Sequence, residues 1–472
     1  MSLRRQEHDR QGILPFVVEM ADRDDVTARA GLPLVVETFR ALHLGPVACE
    51  ALPAAKKLGG FDAAAKLEAL ATLIAAGGDR IEDIRILGDD KGLCRLLGGP
   101  LPSPDALLDF LGQFHDAELL EQKPKDALAF VPGENAALLG LETVNRALVQ
   151  RGCNPQTTTA TVDHDGTIIE SHKREAKIAY EGTRGYQPLL AVWAEEQLVL
   201  CDEFRDGNVP GGMDPLSSVK RAFAALPAQV DKRFYRGDSA SYYAPLLKHL
   251  VAESIGFSIS ADMTEALKKC CKALAPSAWC EVQTRANEIV EAAEVEFTPG
   301  DWPKDAKPLR YVALRITPLQ TELFSERGPK HLAVVTNRHE LSAAELMQWH
   351  WQKAGTIEHV HRVMKNELGA GVMPSGRFGS NAAWLRINAL TFNLLTVLKR
   401  KALPEHCRLA RPKRLRFELF TIPGRLTSHQ SQLSVKVSAA EPRVENLVNA
   451  RRSLLALQRT IADTIGSLPA VQ

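Results

Sequence analysis

Three acidic positions in this chain have the types and spacing for chemistry. They are Asp163 or Asp165 within an alternating stretch, Asp238 at the end of another, and Glu358 far downstream. A carboxylate beside a core must be paired or bind a cation. Hard divalent ions such as Mg²⁺ prefer carboxylate oxygens and retain waters. Two such ions about 3.5–4 Å apart can activate an attacking oxygen and stabilise a leaving one. Three acids suit a phosphodiester better than a glycoside, which needs two carboxylates and no basic surface. The one strong basic block, 398–417, holds eight Lys or Arg and one Glu, among them Lys413, Arg414 and Arg416. It reads as a phosphate-contacting segment, with a solvated surface as the alternative.

These residues need elements to position them. Glu358 lies in WQKAGTIEHVHRVMKNEL, residues 351–368, which lacks Pro and predicts a helix. Glu358, His361, Arg362 and Lys365 then project from one side. A solvated charged face with i,i+4 pairing is the plainer reading. An apolar, Asn-punctuated helix is expected over 381–398. Upstream, 157–170 is β-branched and alternating, a strand with Thr161, Asp163 and Asp165 on one face. Strands are predicted at 188–194, 197–204, 231–237 and 256–261, with helices at 214–226 and 242–252. Three hairpin-type strands, then helix, strand, helix, strand, is the order of a ribonuclease-H-like α/β domain; some other α/β winding is the alternative.

That catalytic domain is expected at 156–264 and 337–400. Between its parts, 265–336 reads as a β-rich insertion with strand-like runs at 279–284, 293–297, 309–317, 320–324 and 331–336. Residues 1–155 predict a helical N-terminal domain, with helices over 28–44, 62–76, 81–90, 105–119 and 134–151. Its role is structural or DNA-reading. Residues 401–472 form a basic C-terminal segment ending in a helix over 443–468.

At 472 residues, with 45% hydrophobic and 24% charged side chains, the composition is that of a multidomain globular protein. A net charge of +1 gives no global argument for a polyanionic partner. No apolar run approaches a membrane span. Residues 1–16 carry basic groups without a following apolar core, so no secretory signal is expected there. The eight cysteines form no C-x-x-C pair, and buried reduced thiols in a cytosolic protein are expected.

Together several blocks resemble the DDE transposases of bacterial insertion sequences, most closely the IS-thirteen-eighty type. They are Asp163-His164-Asp165-Gly166-Thr167, Gly182-Thr183-Arg184-Gly185-Tyr186-Gln187-Pro188-Leu189-Leu190, Arg205-Asp206-Gly207-Asn208, Arg236-Gly237-Asp238-Ser239 and Thr356-Ile357-Glu358. Lys365, seven residues past the glutamate, matches the basic end of the family's Tyr-Arg-Glu-Lys motif. Where that motif has Tyr and Arg, this chain has Trp351 and Ala354; Lys353 and Arg362 are candidate stand-ins for the phosphate contact. The resemblance implies a ribonuclease-H-like core with a β-rich insertion. It also implies Mg²⁺- or Mn²⁺-dependent cleavage and joining at element ends with two ions, and a homodimer on paired DNA ends in the bacterial cytoplasm, at the nucleoid. The expected metal ligands are Asp165, Asp238 and Glu358, with Asp163 as helper or rival to Asp165. Asp165 is favoured because Asp-Gly-Thr resembles the family's first-aspartate signature. A catalytically inactive DNA-binding derivative, or a stand-alone metal-dependent nuclease, are the alternatives.

Overall fold

The computed structural model describes residues 24–55, 59–300, 302–303, 306–319, 328–430, 432–438 and 440–466. The stretch 1–16, the strand expected over 320–324 and the last two residues of the helix expected over 443–468 lie outside these. Between Leu34 and Gly152 the regular elements are helices. The longer ones start on capping side chains. α1 (Ala63–Ala76) begins at Asp62, which accepts from Ala65 N at 2.7 Å. α2 (Pro104–Gly112) begins at Ser103 with Pro in its first turn. α3 (Ala136–Gly152) begins at Asn135, which accepts from Leu138 N at 2.9 Å.

A nine-stranded mixed sheet follows. Its strands are β1 (Thr159–Gly166), β2 (Leu189–Trp193), β3 (Leu198–Glu203), β4 (Lys232–Gly237), β5 (Gly256–Ser260), β6 (Cys280–Arg285), β7 (Glu288–Val295), β8 (Arg310–Pro318) and β9 (Lys330–Thr336). Helices α4 (Pro215–Ala224) and α5 (Ala244–Ala252) lie between β3 and β5 in the chain. Their order across the sheet is β6-β7-β8-β9-β5-β4-β1-β2-β3. β1, β4 and β5 run parallel, β2 pairs antiparallel with β1, and β3 pairs antiparallel with β2. β6 to β9 form an antiparallel meander joined to β5 through β9, so the region read as an insertion lengthens the same sheet.

Two long helices close the arrangement. α6 (Ala343–Glu367) crosses the sheet, and α7 (Phe378–Lys401) is buried from Gly379 through Leu398. α6 begins eight residues before the predicted start at 351. Its origin is a capping box: Glu345 N donates to Ser342 Oγ at 3.3 Å and Ser342 N donates to Glu345 Oε2 at 2.8 Å. The asparagines of α7 carry polar backbone through the core. Asn393 accepts from Val199 N and donates to Val199 O, both at 2.8 Å, and also donates to Asn145 Oδ1 on α3. Two amides thereby cover the edge of β3, which would otherwise bury unpaired backbone groups.

One contiguous buried cluster runs from Leu32 to Leu454, joining the N-terminal helices, the sheet and α7. α8 (Val444–Gly466) packs on the helix Leu34–Ala41, so the last described helix shares this core with the N-terminal helices. A second cluster, with Val290, Val312, Val334, Leu346 and Met347, binds the meander to the start of α6. No helix among the described residues is long and apolar enough to cross a membrane.

Candidate active site

On β1, Thr161, Asp163 and Asp165 share a face by strand alternation, and α6 packs there. Asp163 is fully buried. In the parallel register it sits beside Arg236 of β4. Arg236 Nε and Nη2 donate to the two Asp163 oxygens at 2.6 and 2.9 Å. Thr356 Oγ1 on α6 donates to Oδ2 as well. Arg236 Nη1 also donates to Trp349 O at 2.6 Å, and the guanidinium lies 5.3 Å from the Trp349 ring centre. Both oxygens of Asp163 are thus engaged in a bidentate buried pair that ties β1, β4 and α6 together.

Asp165, two residues further along the strand, is half-buried and open to a cavity. Its Oδ1 accepts from Gly166 N at 2.9 Å and its Oδ2 from Lys353 Nζ at 2.9 Å. Asp238 follows β4 directly, and its Oδ1 accepts from Ala240 N at 3.1 Å. A Cβ at Gly237 would meet Ser241 Cβ at 2.5 Å, so glycine allows the tight turn that carries Asp238. Because β1 and β4 are parallel, the two acids emerge at the same end of the sheet. Both line a cavity of about 660 Å³ with Thr167, Tyr180, Gln187 and Lys365. Burial pushes the Asp238 carboxyl up, Lys353 pulls it down, and the negative charge of Asp165 pushes it up further. Two neighbouring hard-oxygen donors, one of which loses charge to the other's presence, fit a divalent cation, which offsets that repulsion.

The cavity wall is partly built by short strands. Ile169–Glu170, Lys177–Ile178 and Arg184–Tyr186 form a small sheet beside it. The strand expected over 157–170 ends at Gly166, and Ile169–Glu170 pairs in this small sheet instead; its two other strands are too short to show alternation, and Gly182 between them turns with φ +83°. Gln187 ends this segment; it is buried, and its Oε1 has no hydrogen-bond partner. Lys365 Nζ donates to Ile168 O at 2.7 Å at the cavity rim. On the opposite face of β1, His164 meets Ser218 Oγ at 3.0 Å and Tyr235 OH at 3.2 Å; burial pushes it down to about 3, so it is neutral. His361 on α6 is buried, neither ring nitrogen has a partner, and burial pushes it down to about 4.

The remaining predicted positions are dispersed. Glu358 is exposed on α6 and does not line the cavity. Among the described residues no three His, Cys, Asp or Glu side chains are arranged to hold a metal ion. Lys353 lies on Asp165. Trp351 packs against the meander's cluster, with the Arg285 guanidinium 5.2 Å from its ring centre. Arg362 is exposed and donates to His359 Nδ1 at 3.2 Å. Lys413 and Arg414 are exposed, and Arg414 pairs with Glu418 one turn on. Arg416 turns inwards: it donates to Ala75 O at 2.8 Å, to Ile74 O at 3.2 Å and to Glu367 O, at the carbonyl ends of α1 and α6. Nothing in local spacing marks the pairing of Asp163 with Arg236 or of Arg416 with these helix ends, since each partner is remote in sequence.

The family model Transposase DDE domain group 1 matches residues 17–459. No curated protein matches the chain. Among solved structures, the chain is similar to one described as a cryo-EM structure of piggyBac transposase synaptic complex with hairpin DNA. That likeness has 11% identity and a TM-score of 0.44, and covers 95% of this chain and 88% of that one. With the family model spanning nearly the whole chain, the protein belongs to the DDE transposases of the Transposase DDE domain group 1 family.

Proposed function

We propose that the protein is the DNA transposase of an insertion sequence of the IS-thirteen-eighty type, cutting element ends and joining the freed 3′-OH to target DNA. The order β3-β2-β1-β4-β5, with β1, β4 and β5 parallel, supports reading the core as ribonuclease-H-like. One observation carries the reading. Asp165 and Asp238 open from neighbouring parallel strands onto one cavity, whereas Asp163 is closed off by Arg236 and Thr356. Asp165 and Asp238 would hold divalent cations, two Mg²⁺ or Mn²⁺, with Glu358 as the third acid when α6 presents it to bound DNA. Such ions supply the charge that activates an attacking oxygen and stabilises a leaving oxygen in phosphoryl transfer.

The chain's own residues do the rest. The Asp163–Arg236–Thr356 clamp fixes β1 against α6 and so holds the spacing of the acids. Lys365 presents an ammonium at the rim, where a DNA phosphate would pass. Exposed Lys413 and Arg414 extend the positive surface. The working form is a homodimer on paired DNA ends, in the bacterial cytoplasm at the nucleoid. A second reading is favoured by the exposure of Glu358 and by Ala354 at the motif's arginine position: a catalytically inactive DNA-binding derivative. Incubation with element-end DNA and Mg²⁺ or Mn²⁺ separates the readings. Cleavage followed by joining supports the transposase, cleavage alone a nuclease, and binding without cleavage the inactive derivative.

A further inference from the structure

The two aspartates of β1 that face α6 are neutralised in different ways. Asp163 has a guanidinium that is 2% exposed and held by Trp349 O besides both carboxylate oxygens. Asp165 has Lys353, whose ammonium, among the described residues, makes its one hydrogen bond to Asp165 Oδ2, at 2.9 Å. A planar guanidinium bonded on several sides is a permanent partner. A single ammonium on a four-carbon stem, with further donors unused, is replaceable. Lys353 is 12% exposed and reaches from α6 to Asp165, which lines the cavity, and its charge also acts on Asp238. One positive charge therefore serves two carboxylates. A divalent ion binding those oxygens would repel the ammonium at short range.

We propose that Lys353 is the resident counter-ion of the acidic pair, occupying Asp165 in the metal-free protein and competing with a divalent cation for that carboxylate. This makes Lys353 a positioning residue: it keeps Asp165 and Asp238 together before a cation arrives, and it sets the concentration at which one binds. The inference rests on the reading of Asp165 and Asp238 as cation ligands.

Mn²⁺ binding to the DNA-free full chain, followed by water-proton relaxation, tests it without any activity measurement. Lys353→Met is expected to tighten Mn²⁺ binding by on the order of tenfold, because a unit charge is removed beside the site. Lys353→Arg, which keeps the charge, is expected to bind no more tightly than the unaltered chain. In chelator, Lys353→Met should melt below the unaltered protein and recover on adding Mn²⁺. Lys353→Gln replaces the methionine variant if that one does not fold. Equal or weaker Mn²⁺ binding on removing the ammonium overturns the counter-ion role and leaves the acidic site standing. No saturable Mn²⁺ signal in any of these proteins, or one that Asp165→Asn and Asp238→Asn leave intact, overturns the site reading and this inference with it.

Discussion

Asp163 and Arg236 face each other across two parallel strands and form a bidentate ion pair in which the carboxylate is wholly buried. This pair separates the two aspartates of β1 into different tasks. Removing one member of a buried pair leaves the other charge uncompensated, which costs about 3–5 kcal/mol.

Asp163→Ala is therefore expected to destabilise the fold by about 3–5 kcal/mol, read from urea denaturation. Asp165→Asn should stay within about 1 kcal/mol of the unaltered protein and lose DNA cleavage. The sequence alone made Asp163 a helper or rival of Asp165; the buried pair makes loss of folded protein the expected outcome. An Asp163→Ala protein of unaltered stability would mean that the clamp with Arg236 does not hold the strand.

Glu358→Ala should leave stability and DNA binding unchanged, because the side chain is exposed. Cleavage should be abolished if Glu358 is the third acid. Gel shift and cleavage on one preparation decide this, and normal cleavage removes Glu358 from the site.

The basic segment divides in two. Lys413→Ala with Arg414→Ala is expected to weaken DNA binding, lowering the slope of log K against log salt by about 0.9 for each DNA phosphate left without its cationic side chain. Arg416→Ala should act on stability, since its guanidinium serves three carbonyl oxygens at two helix ends. A salt slope unchanged in the double variant would make 413–414 a solvated surface.

Three buried histidines set an acid limit. Burial holds His164 down to about 3, and His350 and His361 to about 4, each against 6.5 ordinarily. The folded state keeps them neutral while the unfolded chain takes up protons below 6.5, so stability falls as pH drops from there towards 4. With up to three extra protons on the unfolded chain, the slope reaches about 4 kcal/mol per pH unit. His361→Gln should reduce that slope by about a third, measured by denaturation at pH 4.5 to 7. An unchanged slope would show that His361 is not held neutral.

Local pattern was enough to place the main strands and helices of the core and the faces of β1. Alternation over 157–170 placed Asp163 and Asp165 on one side of β1, and the run of strands and helices through 261 appears in the expected order. The Asn-punctuated run became α7, and Asp238 stands at the end of its strand as expected. Periodicity reports which way a side chain points, because that depends on local dihedrals. It does not report which distant charge arrives opposite. Tertiary structure alone gave Asp163 to Arg236 and Asp165 to Lys353, turned Arg416 onto helix ends and left Glu358 in solvent. Each outcome was decided by strand register and helix placement over large sequence separations, where burial makes an unpaired charge too costly to leave.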